Sequence, residues 1–242
     1  VQTLAPAVIR GVVNVERSEK ITAPVIDTAD DVKAVVTQAQ KSELGRNLAE
    51  GRFTTAVSLL PPNGHVYNKT IECAKALKSK GVDVITIPDV SHGTRMSPLS
   101  LAVLVQQQAD IETILQYSCR DRNILGMQSD MLGAHAMGVR NMLLVTGDAR
   151  NVGDYPDATT IFDADSIGLT NIVTSLNQGL DVGGQTISQP TTFHIGVMVN
   201  PGAESLQAEL RRFAYKVEAG AEFAITKPVF DVSSVESFFK EV

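Results

Sequence analysis

Met142-Leu143-Leu144-Val145-Thr146-Gly147-Asp148 is the stretch on which the fold turns: an apolar run of strand length that delivers a carboxylate through a glycine. Glycine there permits close approach of the backbone, although glycine–aspartate pairs at strand ends are also common turn formers. The same pattern recurs on both sides. Strands are expected at Thr54–Leu60, Asp83–Pro88, Thr113–Cys119, Met142–Gly147, His194–Asn200 and Phe223–Val229. Helical stretches alternate with them at Asn68–Lys80, Pro98–Gln108, Ser129–Gly138, Ser166–Gln178 and Ala203–Ala219. Alternating β and α runs argue for a parallel sheet covered by helices. Polar residues follow the strands at Pro88-Asp89, Arg120-Asp121, Gly147-Asp148, Asn200-Pro201 and Lys227-Pro228. In a (β/α)8 TIM barrel the strand C-termini are where active sites are built. A Rossmann sheet would need G-x-G-x-x-G after the first strand; none follows Leu60, and no Walker A loop occurs. The α/β barrel is therefore favoured.

Two features depart from a complete barrel. The chain stops at Val242, after six βα units, so the last two units are expected to be absent from it. Residues 1–42 contain Pro6, Pro24 and a helical stretch at Thr28–Gln40 without a catalytic pattern, and read as a linker or the remnant of a preceding domain. Residues 43–242 read as the incomplete barrel.

Composition narrows the ligand. With 43% hydrophobic and 20% charged residues, the 242-residue chain has the make-up of a globular protein. No apolar run is long enough to span a bilayer and no secretory leader pattern opens the chain, from which a cytoplasmic setting without a membrane partner is expected. A net charge of -6 without a basic block gives no footprint for nucleic acid, so a small molecule is expected. Cys73 and Cys119 form no C-x-x-C, and His65, His92, His135 and His194 show no ligand spacing; no metal is expected. The absence of G-x-S-x-G argues against a serine hydrolase.

The remaining chemistry is cationic and acidic. Cys119-Arg120-Asp121-Arg122-Asn123 places two arginines and an aspartate after a strand, which reads as structural ion pairing or as a ligand site. Glu209, Arg212 and Lys216 fall at i, i+3 and i+7 and share one helix face. That face is either solvated or, with two cations, a partner for a phosphate-bearing cofactor.

Taken together these segments resemble the methylenetetrahydrofolate reductase family, especially the reductase half of bifunctional proteins that join it to a homocysteine methyltransferase. The matching stretches are Leu59-Leu60-Pro61-Pro62-Asn63-Gly64, Arg95-Met96-Ser97, Cys119–Asn123 and Asn141–Asp148. They continue through Gly153-Asp154-Tyr155-Pro156, Phe162–Leu169, Asn200-Pro201, Lys216–Ala221 and Ala224–Asp231. The resemblance implies a flavoprotein oxidoreductase of one-carbon metabolism and methionine biosynthesis. Its FAD would lie across the strand C-termini, take hydride from NADH or NADPH and pass it to 5,10-methylenetetrahydrofolate. Residue by residue, it implies Asp148 beside the isoalloxazine, stabilising the cationic iminium of the opened folate. Gly147 would lie against the flavin, with Gln116 and Asn200 as contacts on the third and fifth strands. Asp165 would sit on the ribityl and adenine side, and Glu209, Arg212 and Lys216 would hold the ribose and diphosphate.

Two positions depart from the family pattern. The glutamate that acts as general acid is replaced by Ser58, and the substrate-contacting glutamine of Ile-Thr-Gln is replaced by Lys227. Flavin-side residues are kept while substrate-side residues change. Two functions follow: an FAD-dependent reductase of methylenetetrahydrofolate with an atypical site, or a degenerate flavin- or folate-binding barrel serving as an interaction subunit. A homo-oligomer or a larger methyl-transfer protein is the expected setting.

Overall fold

The computed structural model describes residues 36–148, 154–155 and 158–241. Two short helices, α1 (Gln38–Lys41) and α2 (Glu43–Ala49), precede strand β1 (Ala56–Ser58), helix α3 (Asn68–Ser79), β2 (Val84–Ile87) and α4 (Pro98–Ala109). Then come β3 (Glu112–Ser118), β4 (Asp121–Arg122), α5 (Ile124–Ala136), β5 (Asn141–Val145), β6 (Ile161–Phe162) and α6 (Ser166–Asn177). The chain continues through β7 (His194–Val199), α7 (Leu206–Glu218), β8 (Phe223–Thr226) and α8 (Val232–Glu241).

Six strands form one parallel sheet in the order β1-β2-β3-β5-β7-β8. Spatial order equals chain order, so the sheet has no strand-order reversal and no topological switch point, the ligand site of a doubly wound sheet. Winding in one direction with a helix after each strand is barrel architecture. Six consecutive units of a (β/α)8 barrel are present among the described residues.

Each face of the sheet has its own core. Ile85, Ile87, Leu115, Tyr117, Met142, Leu144 and Ile195 point outward and pack on helix residues such as Leu101, Met127, Met131, Leu169 and Leu176. Alternate residues Val84, Ile114 and Leu143 point inward with Met198, Phe223 and Ile225, and Leu44 of α2 joins them. Leu115 and Met142 are fully buried. Truncating either to alanine would cost about 2–5 kcal/mol through lost transfer energy and a cavity. Gly196 is required on the inner face, because a Cβ there would fall within the Phe223 ring.

The lower end of the strands is closed by polar contacts from residues 38–45. Ser42 Oγ donates to Asn141 Oδ1 at 2.6 Å, and Asn141 Nδ2 donates to Glu112 Oε2 at 3.1 Å. Glu112 also accepts from the backbone N–H groups of Glu43 (2.7 Å) and Leu44 (3.0 Å). Lys41 Nζ reaches Glu222 Oε2 at 2.8 Å. These bonds bring Lys41 and Ser42 onto the barrel. Residues 28–35 of the expected Thr28–Gln40 helix lie outside the described residues.

Local departures from the sequence reading have physical causes. Helix α5 begins at Ile124 rather than Ser129, because Asn123 caps it by accepting from the Gly126 N–H at 2.8 Å. Arg120-Asp121 does not simply lead into a loop: Asp121–Arg122 pairs with Ile161–Phe162 in a separate two-stranded parallel sheet. Strand β1 spans Ala56–Ser58 only, shorter than Thr54–Leu60. No described helix is long and apolar enough to cross a membrane.

Candidate active-site cleft

A cleft of about 320 Å³ opens at the C-terminal ends of β3, β5, β7 and β8. Larger cavities of about 370 and 760 Å³ lie at the opposite end, lined by strand starts such as Asn141 and Ile195. We place the candidate site by chemistry rather than size, because strand C-termini carry the converging loops of this architecture.

Strand parity delivers the first residues. Gln116 points inward on β3 beside Leu143, half-buried and against the cleft. At the end of β5, Gly147 adopts φ +93°, and a Cβ would meet Arg120 Cβ at 2.9 Å and Ser118 Cβ at 3.2 Å. Backbone conformation and packing against β3 therefore both demand glycine. Asp148 follows, exposed on the cleft, and its Oδ2 accepts from Ser91 Oγ at 2.9 Å.

The opposite wall comes from β7, α7 and β8. Asn200 lines the cleft and its backbone N–H donates to Glu209 Oε1 at 2.8 Å, fixing the first turns of α7 against the strand end. Lys216 is only 6% exposed, so the helix face is not simply solvated. Its Nζ donates to the Met198 carbonyl at 2.6 Å. Burial holds the Lys216 pKa below its ordinary value, with Glu209 opposing the shift. Arg212 also lines the cleft, exposed and without a hydrogen-bond or ion-pair partner among the described residues. Lys227 lies just past β8, where its backbone N–H donates to the Val199 carbonyl at 2.7 Å and its side chain faces the cleft.

Asp165 and Ser58 are not brought into it. Asp165 is 4% exposed and caps α6, its Oδ1 accepting from the N–H groups of Ile167 (3.0 Å) and Gly168 (2.9 Å). Its Oδ2 is buried without a partner among the described residues. Ser58 is exposed at the end of β1, in register with Thr86, and lines neither the cleft nor the cavity beside it. Gly153 and Pro156 of the resembling stretch lie outside the described residues.

The sequence did not reveal how the loops lock together. Asp89 Oδ2 accepts from Ser118 Oγ at 2.6 Å, and Asp89 Oδ1 lies 3.5 Å from Arg120 Nη2. Arg120 also binds Asp121 through Nε at 3.0 Å. This pair separates the cleft from a neighbouring cavity of about 340 Å³ lined by Pro61, Arg95, Met96 and Arg122. Arg122 is a structural ion pair, 2.7 Å from Asp130 and over the Tyr117 ring. Cys119 is fully buried, and burial pushes its thiol up to about 12, whereas Cys73 is exposed. Ser91 had no sequence signal, because its partner stands 57 positions away.

Comparison with known proteins places this geometry. A model of the methylenetetrahydrofolate reductase family matches residues 43–242. The 5,10-methylenetetrahydrofolate reductase of Pectobacterium carotovorum subsp. carotovorum is 27% identical over 205 residues, which is 82% of this chain and 63% of the relative. That of Escherichia coli (strain K12) is 25% identical over 206 residues, 83% of this chain and 64% of the relative. The chain thus spans somewhat less than two thirds of these relatives. A solved structure from Clostridium thermocellum, of a protein that binds two copies of 5-methyl-5,6,7,8-tetrahydrofolic acid, is similar at TM-score 0.56 and 14% identity. It covers 82% of this chain and 63% of its own. Likeness of that order also extends to 2,3-dimethylmalate lyase, at TM-score 0.54, 12% identity, 85% of this chain and 66% of that one, and so speaks to the barrel alone. The family model, matched over residues 43–242, is decisive: this chain belongs to the methylenetetrahydrofolate reductase family.

Proposed function

We propose that the chain forms the catalytic barrel of an FAD-dependent reductase that converts 5,10-methylenetetrahydrofolate to 5-methyltetrahydrofolate with a nicotinamide donor. The observation that carries this reading is one cleft collecting Gln116, Gly147, Asp148, Asn200, Glu209, Arg212, Lys216 and Lys227. The names of the sequence relatives support a folate substrate.

The residues suit the flavin. Among the described residues the Arg212 guanidinium is unpaired, and Lys216 keeps two N–H donors beyond the one given to Met198, a donor set fit for a diphosphate. Glu209 would face the ribose, while Gln116, Gly147 and Asn200 would bound the ring. FAD, when bound, supplies hydride acceptance from the nicotinamide and hydride delivery to the substrate. This chain's own part is charge and protons. The exposed Asp148 carboxylate would stabilise positive charge developing on the folate as its ring opens.

Proton delivery is the weak step. A serine hydroxyl cannot replace a tuned carboxylic acid, and Ser58 stands outside the cleft. Positioned acid catalysis is typically worth about 10²–10⁴-fold, so folate reduction is expected to be slow by roughly that factor. Lys227 adds a cation that opposes the charge Asp148 would stabilise. Both residues also favour a second reading, a barrel that binds flavin or folate without turnover as part of a larger methyl-transfer protein or a homo-oligomer.

Stopped-flow measurement on protein reconstituted with FAD separates the readings. Flavin reduction by the nicotinamide should proceed in wild type, and Ser58→Glu, which would extend a carboxyl from the inner face that Ser58 shares with Val84 by strand register, should together with Lys227→Gln speed only the folate half-reaction. No gain in that double variant favours the non-catalytic barrel. A folded wild type that takes up no FAD sinks the cofactor assignment.

A further inference from the structure

Among the described residues, one side chain reaches the Asp148 carboxylate: Ser91, whose Oγ donates to Oδ2 at 2.9 Å. Ser91 belongs to the loop between β2 and α4, and that loop has anchors of its own. Arg95 Nη1 donates to the Pro61 carbonyl at 2.8 Å and the Met96 N–H to the Pro62 carbonyl at 3.0 Å. The Gly93 N–H donates to Asp154 Oδ2 at 2.6 Å, and Asp89 is held by Ser118 at 2.6 Å. Asp148, by contrast, stands exposed after a glycine with φ +93°. The loop is therefore the fixed partner and the carboxylate is the group being oriented.

We propose that Ser91 is a positioning residue for Asp148, occupying Oδ2 and so leaving Oδ1 to face the substrate. A carboxylate about a terminal sp³–sp² torsion has a broad, twofold energy surface, and a single hydrogen bond suffices to select one orientation. Selection matters because charge stabilisation in a transition state depends on donors and acceptors already in place. The inference rests on the reading of Asp148 as the carboxylate that stabilises charge on the substrate.

The test is a double-mutant cycle on the FAD-reconstituted protein, read as the single-turnover rate of the methylenetetrahydrofolate half-reaction. Ser91→Ala should lower that rate on the order of tenfold, the size of one charge-assisted hydrogen bond partly open to water, with little change in half-saturation. Ser91→Thr keeps a hydroxyl and should restore most of it. In the Asp148→Asn background, Ser91→Ala should cost nothing further, whereas a merely structural role would multiply the two losses. A wild-type rate in Ser91→Ala beside a slow Asp148→Asn overturns the role of Ser91 alone, as does full multiplication of the two effects. An Asp148→Asn variant as fast as wild type overturns the reading of Asp148 and the proposal together.

Discussion

His194 is fully buried at the start of β7, and its hydrogen bonds fix its proton. Asn141 Oδ1 lies 3.1 Å from Nδ1 and can only accept, while Gln38 Nε2 lies 3.0 Å from Nε2 and can only donate. The ring is thus the neutral Nδ1–H tautomer, and a second proton on Nε2 would face the Gln38 amide donor. Burial pushes the imidazole down to about 4, and His135 is shifted to about 4 for the same reason. In the unfolded chain histidine titrates near 6.5, so between roughly pH 6.5 and 4 the unfolded state binds protons that the folded state refuses. The contribution is complete above that window and is lost as pH falls through it. For His194 it amounts to roughly 3 kcal/mol at the acid end. Urea unfolding of wild type and His194→Asn from pH 7 to 4.5 should show a lower starting stability but a shallower decline in the variant. Parallel declines would contradict the argument. The same fixed proton leaves His194 no catalytic part, since it lies at the strand end remote from the cleft.

At the scale of elements, α6 depends on its first residue. Asp165 caps the helix through Oδ1 and leaves Oδ2 buried and, among the described residues, unpartnered. Aspartate and asparagine cap about equally well, and loss of a cap typically costs about 0.5–2 kcal/mol. Asp165→Ala should lose about that much in chemical denaturation, and Asp165→Asn should recover most of the loss. Equal losses would mean that the charge, not the cap, holds the residue there. The cap is written locally in Asp165-Ser166, but the family resemblance implies the same aspartate near the ligand, and that reading masked the local one. The strands themselves were legible: aliphatic runs such as Met142–Val145 have one reading when they alternate with longer helical stretches. Strands β4 and β6 were not, since two-residue segments carry no period; beside them Arg120 is held by ion pairs to Asp89 and Asp121. The cleft was legible where one strand end or one helix face carries it, as at Gly147-Asp148 and Glu209–Lys216. It was illegible where partners such as Ser91 and Asp148 meet only after the sheet forms.

For the whole molecule, the consequence lies at the two ends of the sheet. Strand β1 pairs only with β2, and β8 only with β7, so among the described residues each leaves one row of backbone groups unpaired. Barrels remove such edges by closure, and an open edge is a template for another chain. Apolar side chains mark both sides of the gap. Phe53 is 92% exposed before β1, and Phe230 is 97% exposed after β8. Leu60, Val229 and Val232 are exposed in the same neighbourhoods, so the edges come with adhesive surface as well as free hydrogen-bonding groups. Helix α8 does not relieve this, because its docking runs backward onto α7 through Phe238 and Phe213, whose ring centroids lie 5.8 Å apart. A polypeptide of these 242 residues produced alone is therefore expected to self-associate. Sedimentation velocity over a range of concentrations should show species heavier than the 25.9 kDa monomer. Replacing Phe53 and Phe230 with lysine should shift the distribution toward monomer, since an edge lysine disfavours strand pairing and removes apolar area at once. A wild-type polypeptide that stays monomeric at every concentration and unfolds in a single cooperative transition would show that six strands suffice without closure, and that the exposed phenylalanines serve something other than the gap.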